Sequence, residues 1–333
     1  MVLAGLGHVG QAFVSLLQEK TELLRSRFGL DLPLKAALRS AGGLVWPSGL
    51  RQDQLSGISA EHTSASPHWQ PGLSVPHVLK SLTPGVFVDC TPSNIRSGEP
   101  GLDYTRAALR SGWHVVTANK GPLVVDFRRL SNLARKNGVS LKFSAAAGAA
   151  LPALDIGLHS LAGAEILSIE GILNGTTNFI LTRMEEGVPY EEALREAQTK
   201  GIAEPNPELD VDGWDAAVKL LLIANSVLGI DLRLRDMKVR GISRISPGLL
   251  LRAKQEGRSL KLIAKIKRSR GFWRATVSPE IIDQSHPLFG VNGTNKGIAF
   301  LTDTMGSITV TGGKSDPRGA AAALLKDIID IWA

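Results

Sequence analysis

The sequence predicts an α/β fold, with an N-terminal parallel-sheet domain followed by an α+β domain. Three observations point there. Residues 2–18, VLAGLGHVGQAFVSLLQ, pass from a short apolar run through a glycine-rich turn into apolar positions at helical spacing. Two more apolar runs, GVFVDCTPSN (85–94) and WHVVTANKGPL (113–123), end in turn-prone residues and flank a helical stretch at 101–112. Such alternation is the pattern of parallel strands joined by crossover helices. Between about residues 239 and 311, short β-rich runs dominate instead.

Composition narrows the class. At 333 residues, with 43% hydrophobic and 21% charged positions, the chain has material for two globular domains. Its formal charge of +7 is spread along the sequence, and only KLIAKIKRSRGFWR (261–274) forms a basic cluster. The alternation there reads as an edge strand with a charged outer face, so no nucleic-acid partner is expected. A single cysteine, Cys90, excludes an internal disulfide framework and any multi-cysteine metal site. MVLAGLGHVG lacks the charged start and cleavage site of a signal peptide, and no apolar run reaches membrane-spanning length. A soluble, cytoplasmic protein without membrane contact is expected.

In chain order, Gly5, Gly7 and Gly10 fit the G-x-G-x-x-G turn of a dinucleotide-binding βα unit, with His8 and Val9 opening the helix. Gly5 makes the tight turn, Gly7 lets backbone approach a pyrophosphate, and Gly10 lets helix pack on strand. The first domain is thus of Rossmann type. LKAALRS (34–40) is the second strand. It ends in Arg39 and Ser40 rather than in an acid, which favours NADP over NAD because an arginine can pair with a 2′-phosphate. Residues 41–76, with Trp46, Trp69, His62 and His68, read as a loop and short-helix excursion over the cofactor edge, and neither these histidines nor His77 show a metal-ligand spacing. Ligands of such sheets bind beyond the carboxyl ends of the strands, which places Thr91, Pro92, Asn119 and Lys120 at the cofactor. DFRRLSNLARKNG (126–138) reads as a helix and VSLKFSAAAG (139–148) as a strand. The pattern changes after Pro152. LSIEGILNGTTNFILTRM (167–184) is a strand broken at Asn174-Gly175 and followed by a helix, and YEEALREAQTKG (190–201) is a helix with a glycine stop. DPRGAAAALLKDIIDIWA (316–333) is a terminal helix with Asp316 as N-cap and Pro317 at its first position. The region after Pro152 reads as an α+β substrate domain, whose antiparallel sheet could also make a dimer interface.

KGIAEPNPELDVDGWDAAVK (200–219) concentrates the chemistry. Asp212 can cap the following helix, while Asp215 and Lys219 lie one turn apart on one face. Neighbours of Lys219 are apolar on nearly every side, so its ammonium must be paired or must line a polar cavity. A structural ion pair with Asp215 and a catalytic lysine both satisfy that demand. Lys120 at a strand end, and the acids of the Glu204–Asp210 loop, favour an alcohol/aldehyde redox site in which a lysine polarises the carbonyl and relays the proton.

GLGHVG, VDCTPSN, HVVTANKGPL, GILNGTTNFILTRM, KGIAEPNPELDVDGWDAAVKL and HPLFGVNGTNKGI occur in an order that resembles the homoserine dehydrogenases over essentially the whole chain. The resemblance implies interconversion of L-homoserine and L-aspartate 4-semialdehyde with NAD(P), a step of threonine and methionine biosynthesis, in a homodimer. It implies Lys120 and Lys219 as catalytic lysines and Asp215 as the acid working with the second. It further implies Glu204 and Asp210 as substrate-binding acids, with Gly175 and Thr176 in the substrate-binding turn. The resemblance also implies the division: 1–140 for cofactor binding, completed by the C-terminal helix at 312–333, and 141–311 for catalysis and dimerisation. Neither the regulatory ACT domain nor the aspartate kinase of some relatives is expected. FSAAAGAALPALD (143–155) departs from the family: Ser144 stands where a cation-binding glutamate is usual, and Ala149-Ala150 replaces a glycine pair. Only a weak Na+ site at the backbone of Ala147 and Ala149 is left by that change. Three other readings stay open on the residues. They are a related enzyme for another small hydroxy acid or hydroxy amino acid, an acylating semialdehyde dehydrogenase using Cys90, and a non-catalytic NADP-binding sensor.

Overall fold

A computed structural model describes residues 1–51, 66 and 68–332, which separate into two compact units. One comprises Met1–Ala150 and the stretch from Asp316 onward; the other is Leu151–Ser315.

The first unit is built on a sheet in the order β4-β3-β2-β1-β5-β6-β7. Its parallel part consists of β1 (Val2–Ala4), β2 (Leu34–Arg39), β5 (Val86–Asp89), β6 (His114–Thr117) and β7 (Leu141–Lys142). β1 lies at the centre, and its side chains feed both faces. Leu3 joins Phe13 and Leu17 of α1 (His8–Glu19) and Leu324 and Ile328 of α13 (Pro317–Ile329). Val2 and Ala4 join Phe87, Val115 and Trp113 against α3 (Val75–Ser81) and α4 (Gly101–Arg110). A strand buried on both faces must be apolar throughout, which explains the unbroken VLA and VFV runs.

Three expectations change in this unit. Part of the 41–76 excursion is sheet: β3 (Gly42–Leu50) folds back antiparallel on β2, and β4 (Trp69–Pro71) pairs with β3. Glycine, serine and proline hid a strand that needs them. A Cβ at Gly42, whose φ is +152°, would stand 2.4 Å from the Gln70 carbonyl oxygen. His62 lies outside the described residues. The expected strand at 139–148 is only β7, and Ser144–Ala147 forms α6, because an alanine run favours helix over pleat. The division at 140/141 therefore moves: β7 still pairs with β6, and residues 141–150 belong to the first unit. The helix of 126–138 is the latter part of α5 (Gly121–Lys136), which has a non-helical break at Asp126. Asp316 caps α13 as expected, accepting a bond from the Gly319 amide at 2.6 Å.

The second unit carries a six-stranded sheet ordered β13-β12-β8-β10-β11-β9. Its strands are β8 (Ile166–Ile172), β9 (Lys238–Val239), β10 (Ser259–Ser269), β11 (Phe272–Ile282), β12 (Lys296–Thr302) and β13 (Ser307–Gly312). Pairing is antiparallel except between β9 and β11. Helices α8 (Gly175–Glu185), α11 (Trp214–Val227) and α12 (Pro247–Gln255) pack against it, while α9 (Tyr190–Thr199) pairs with α8. The basic cluster at 261–274 is not an edge: β10 lies between β8 and β11. Lys261 within it is 0% exposed and donates to Asn292 Oδ1 at 2.6 Å, so a side-chain partner accounts for that lysine.

Candidate active site

At the cofactor edge of the first unit, the glycine turn has the demanded geometry. Gly5 has φ +90°, and a Cβ there would lie 2.4 Å from the Cys90 carbonyl oxygen. At Gly10 a Cβ would come within 1.9 Å of the Gly5 carbonyl oxygen, so strand-to-helix packing excludes any side chain. Gly7 is the opposite case, since nothing lies within 4 Å of its Cβ position. It is the N-cap of α1 and supplies no capping side chain, so with His8 and Val9 it leaves the first-turn amides of the helix open to an anion. A cradle of this kind suits a dinucleotide pyrophosphate. Arg39 and Ser40 are exposed beside the tight turn between β2 and β3.

Two turns follow the carboxyl ends of β5 and β6. Asp89 Oδ1 accepts bonds from the Thr91 amide at 2.9 Å and the Thr91 hydroxyl at 2.6 Å. Asn119, itself buried, donates to Thr91 Oγ1 at 2.9 Å and accepts from the Gly121 amide at 2.9 Å. Lys120 sits between them as the N-cap of α5, its amide bonded to Ser93 Oγ at 2.9 Å. Pro92 is exposed on the same turn. Burial, reinforced by the Asp89 charge, pushes the Cys90 thiol well above its ordinary range, which leaves it a poor nucleophile and disfavours the acylating reading.

The second unit brings together Asn174, Asp210, Asp215 and Lys219. β8 ends at Ile172, and Asn174 caps α8 by accepting from the Thr177 amide at 2.8 Å. The same side chain donates to Asp210 Oδ1 at 2.6 Å and to Asp215 Oδ2 at 2.8 Å. Lys219 Nζ lies 2.6 Å from Asp215 Oδ2 and donates to the Leu173 carbonyl oxygen at 3.1 Å. The two side chains are only 14% and 10% exposed, on a helix whose residues Ala216–Val218 and Leu220–Asn225 are buried. An ammonium carries three N–H donors. Asp215 and Leu173 take two, and the third has no partner among the described residues, so it can serve a substrate oxygen.

Neighbouring residues shape this site. Gly175 opens α8 where a Cβ would stand 2.8 Å from the Thr294 carbonyl oxygen, and the Thr176 hydroxyl donates to the Ile202 carbonyl at 3.0 Å. Glu204 is exposed on the following loop, and Glu208 is exposed at the helical start beyond it. Asp212 does not cap α11: it ends α10 (Glu208–Val211), and Gly213, at φ +85°, takes the N-cap position without a side-chain bond. Asn174, which bridges the two acids, is the residue of this cluster that sequence reasoning passed over, having read Asn-Gly only as a strand break.

Ser144 is not beside a vacant carboxylate position. Its amide and hydroxyl donate to the buried Asp327 of α13 at 2.8 and 2.7 Å, and Lys326 Nζ lies 3.0 Å from the same carboxylate. Both oxygens are thereby occupied, which does not suit a hard cation. Burial raises the Asp327 carboxyl, against the lowering effects of Lys326 and the Ser144 bonds. Ala149 has a left-handed φ of +50°, and among the described residues no three His, Cys, Asp or Glu side chains are grouped to hold a metal.

Known proteins resemble the chain along its full length. The family model of homoserine dehydrogenase matches residues 152–329, and that of its NAD-binding domain matches residues 5–144. A homoserine dehydrogenase of Methanocaldococcus jannaschii is 37% identical, covering 100% of this chain and 98% of the relative. An NAD(+)-dependent homoserine dehydrogenase of Pseudomonas canavaninivorans is 32% identical over 99% of this chain and 95% of its own length. Among solved structures, S. aureus homoserine dehydrogenase at pH 6.5 aligns with a TM-score of 0.77 at 31% identity, covering 99% of this chain and 75% of that one. With both family models matched in order and whole-length relatives at this identity, the chain belongs to the homoserine dehydrogenase family.

Proposed function

We propose that the chain interconverts L-homoserine and L-aspartate 4-semialdehyde, with Lys219 and Asp215 managing the proton at the reacting oxygen. The observation that carries this is the third N–H of Lys219, without a partner among the described residues, on an ammonium otherwise gripped by Asp215 and the Leu173 carbonyl. In the reducing direction that N–H polarises the aldehyde oxygen and then delivers the proton to the developing alkoxide. Asp215 holds the ammonium in place and steadies its charge. The nicotinamide, when bound, supplies or takes up the hydride. Asp210 and Glu204 bind the substrate ammonium, and the open amides of Gly175 and Thr176, at the start of α8, receive its carboxylate. Lys120, on the cofactor-binding unit, is the second catalytic lysine of this reading.

Arg39 and Ser40 support NADP as the preferred nicotinamide, with Gly5, Gly7, His8, Val9, Gly10, Thr91, Pro92 and Asn119 as the rest of the cofactor site. The proposed working form is a cytoplasmic homodimer joined through the second unit, which sedimentation would resolve from a monomer. A spectrophotometric assay with L-homoserine and NADP, then NAD, tests the activity: tight cofactor binding without turnover would refute it in favour of the sensor.

A further inference from the structure

Resting on the reading of Lys120 as catalytic, we propose that Asp89 is the positioning residue for Lys120, acting through the chain Asp89–Thr91–Asn119–Gly121. Asp89 is fully buried at the carboxyl end of β5. One of its oxygens takes both donors of Thr91; Thr91 Oγ1 takes Asn119; Asn119 takes the Gly121 amide. The main chain closes the same circuit, since the Ala118 amide donates to the Asp89 carbonyl at 2.9 Å and the Asn119 amide to Thr117 Oγ1 at 2.9 Å. Lys120 is the residue between the two ends of this clamp, and its own amide is tied to Ser93, two residues past Thr91. Both turns at the cofactor edge therefore hang on one carboxylate.

The space around that carboxylate is closed. A Cβ at Gly101 would lie 2.3 Å from Asn119 Nδ2 and 3.1 Å from Asp89 Oδ2, so α4 begins hard against the clamp. Oδ2 is buried with no hydrogen-bond partner of good geometry among the described residues. No cation among the described residues pairs with Asp89. The titratable groups facing it are Cys90, next in the chain, and Tyr104 of α4, and its charge raises both. A structural role alone has little use for a buried carboxylate left half-satisfied, because an apolar or amide side chain would cost less. Its ionised form does something neutral groups do less well: it accepts two short bonds at one oxygen and so fixes Thr91 firmly. Burial raises the Asp89 carboxyl to about 6, opposed by the donors of Thr91, Asn119 and Thr117. The clamp is charge-assisted above that pH and weakens below it.

The test uses the whole enzyme. Steady-state kinetics with L-homoserine are followed between about pH 5 and 9, spanning the carboxyl's titration, for wild type, Asp89→Asn, Asp89→Ala and Lys120→Ala. Labelling of Lys120 by an amine-reactive reagent is quantified in parallel by mass spectrometry. In Asp89→Asn we expect kcat about tenfold lower with KM within about twofold, on the scale of a misplaced catalytic group. The acid limb of the wild-type profile near pH 6 should disappear, and with it the break near pH 6 that the clamp adds to the ordinary rise of Lys120 labelling with pH. If Asp89→Ala does not fold, the near-isosteric Asp89→Asn still decides. Labelling of Lys120 and an acid limb both unchanged in Asp89→Asn, whatever its kcat, would overturn the proposal. Wild-type turnover in Lys120→Ala would instead remove the catalytic reading of Lys120, while the labelling rate continues to report positioning.

Discussion

Lys219 Nζ stands 2.6 Å from Asp215 Oδ2, one turn along the same helix, with little access to solvent. A partly buried ion pair is weak grounds for stability, because desolvation offsets most of the attraction. Breaking it from one side is another matter, since the remaining charge is left uncompensated. Lys219→Ala should lower kcat by at least about a hundredfold, the scale for losing a positioned acid–base group, while cofactor affinity is kept. A variant that turns over normally and only melts earlier would identify the pair as structural. Steady-state kinetics beside a melting curve separate the two outcomes.

Asn174 should be as sensitive as the acids it bridges. Asn174→Ala removes the donor shared by Asp210 and Asp215 and the cap of α8. The lost cap alone costs about 1 kcal/mol, and two carboxylates then face each other without the amide between them. We expect a raised KM for L-homoserine, a lower kcat and a lower melting temperature. Unchanged KM in a folded variant would remove Asp210 from the substrate site.

The glycines of the first turn should divide by what surrounds them. Gly10→Ala drives a methyl into the Gly5 carbonyl and should prevent folding of the first unit, as read by circular dichroism. Gly7→Ala meets open space and should fold normally. Its cost is expected in cofactor binding, a rise in Kd of about tenfold or more if the methyl displaces a pyrophosphate contact. Calorimetric titration with NADP measures it, and an unaltered Kd would move the pyrophosphate away from Gly7.

Arg39→Ala should change cofactor preference rather than chemistry. Losing a guanidinium that pairs with a 2′-phosphate is expected to lower kcat/KM for NADP by about tenfold or more and leave that for NAD near its starting value. Equal losses with both cofactors would place Arg39 outside the discriminating contact.

Much of the fold was legible because the signals are local. Gly5, Gly7 and Gly10 declare a turn within six positions, and Asp316-Pro317 announces a helix start in two. The Asp215–Lys219 pair was legible for the same reason, as a one-turn spacing. What escaped depends on distant chain. Lys261 looks solvent-facing until β8 and β11 enclose its strand and Asn292 meets its ammonium. Ser144 looks like a lost carboxylate until Asp327, 183 residues later, takes both its donors. Asn174 sits where local turn chemistry and a remote pair of acids coincide, and only the first is visible in sequence. Gly42 to Leu50 escaped for a different reason, since glycine, serine and proline mark turns more strongly than they mark an outer strand.

α13 follows the whole second unit in sequence, yet it covers the β1 face beside α1, with Leu324, Leu325 and Ile328 buried there. Each such side chain contributes roughly 1.5–3 kcal/mol when withdrawn from water. During synthesis the second unit has its whole sequence available before that face can be covered. Translation order and assembly order therefore differ: the first unit is completed only after the second has been synthesised, and a ribosome stalled before Asp316 would present a first unit lacking the Leu324 and Ile328 cover of its β1 face.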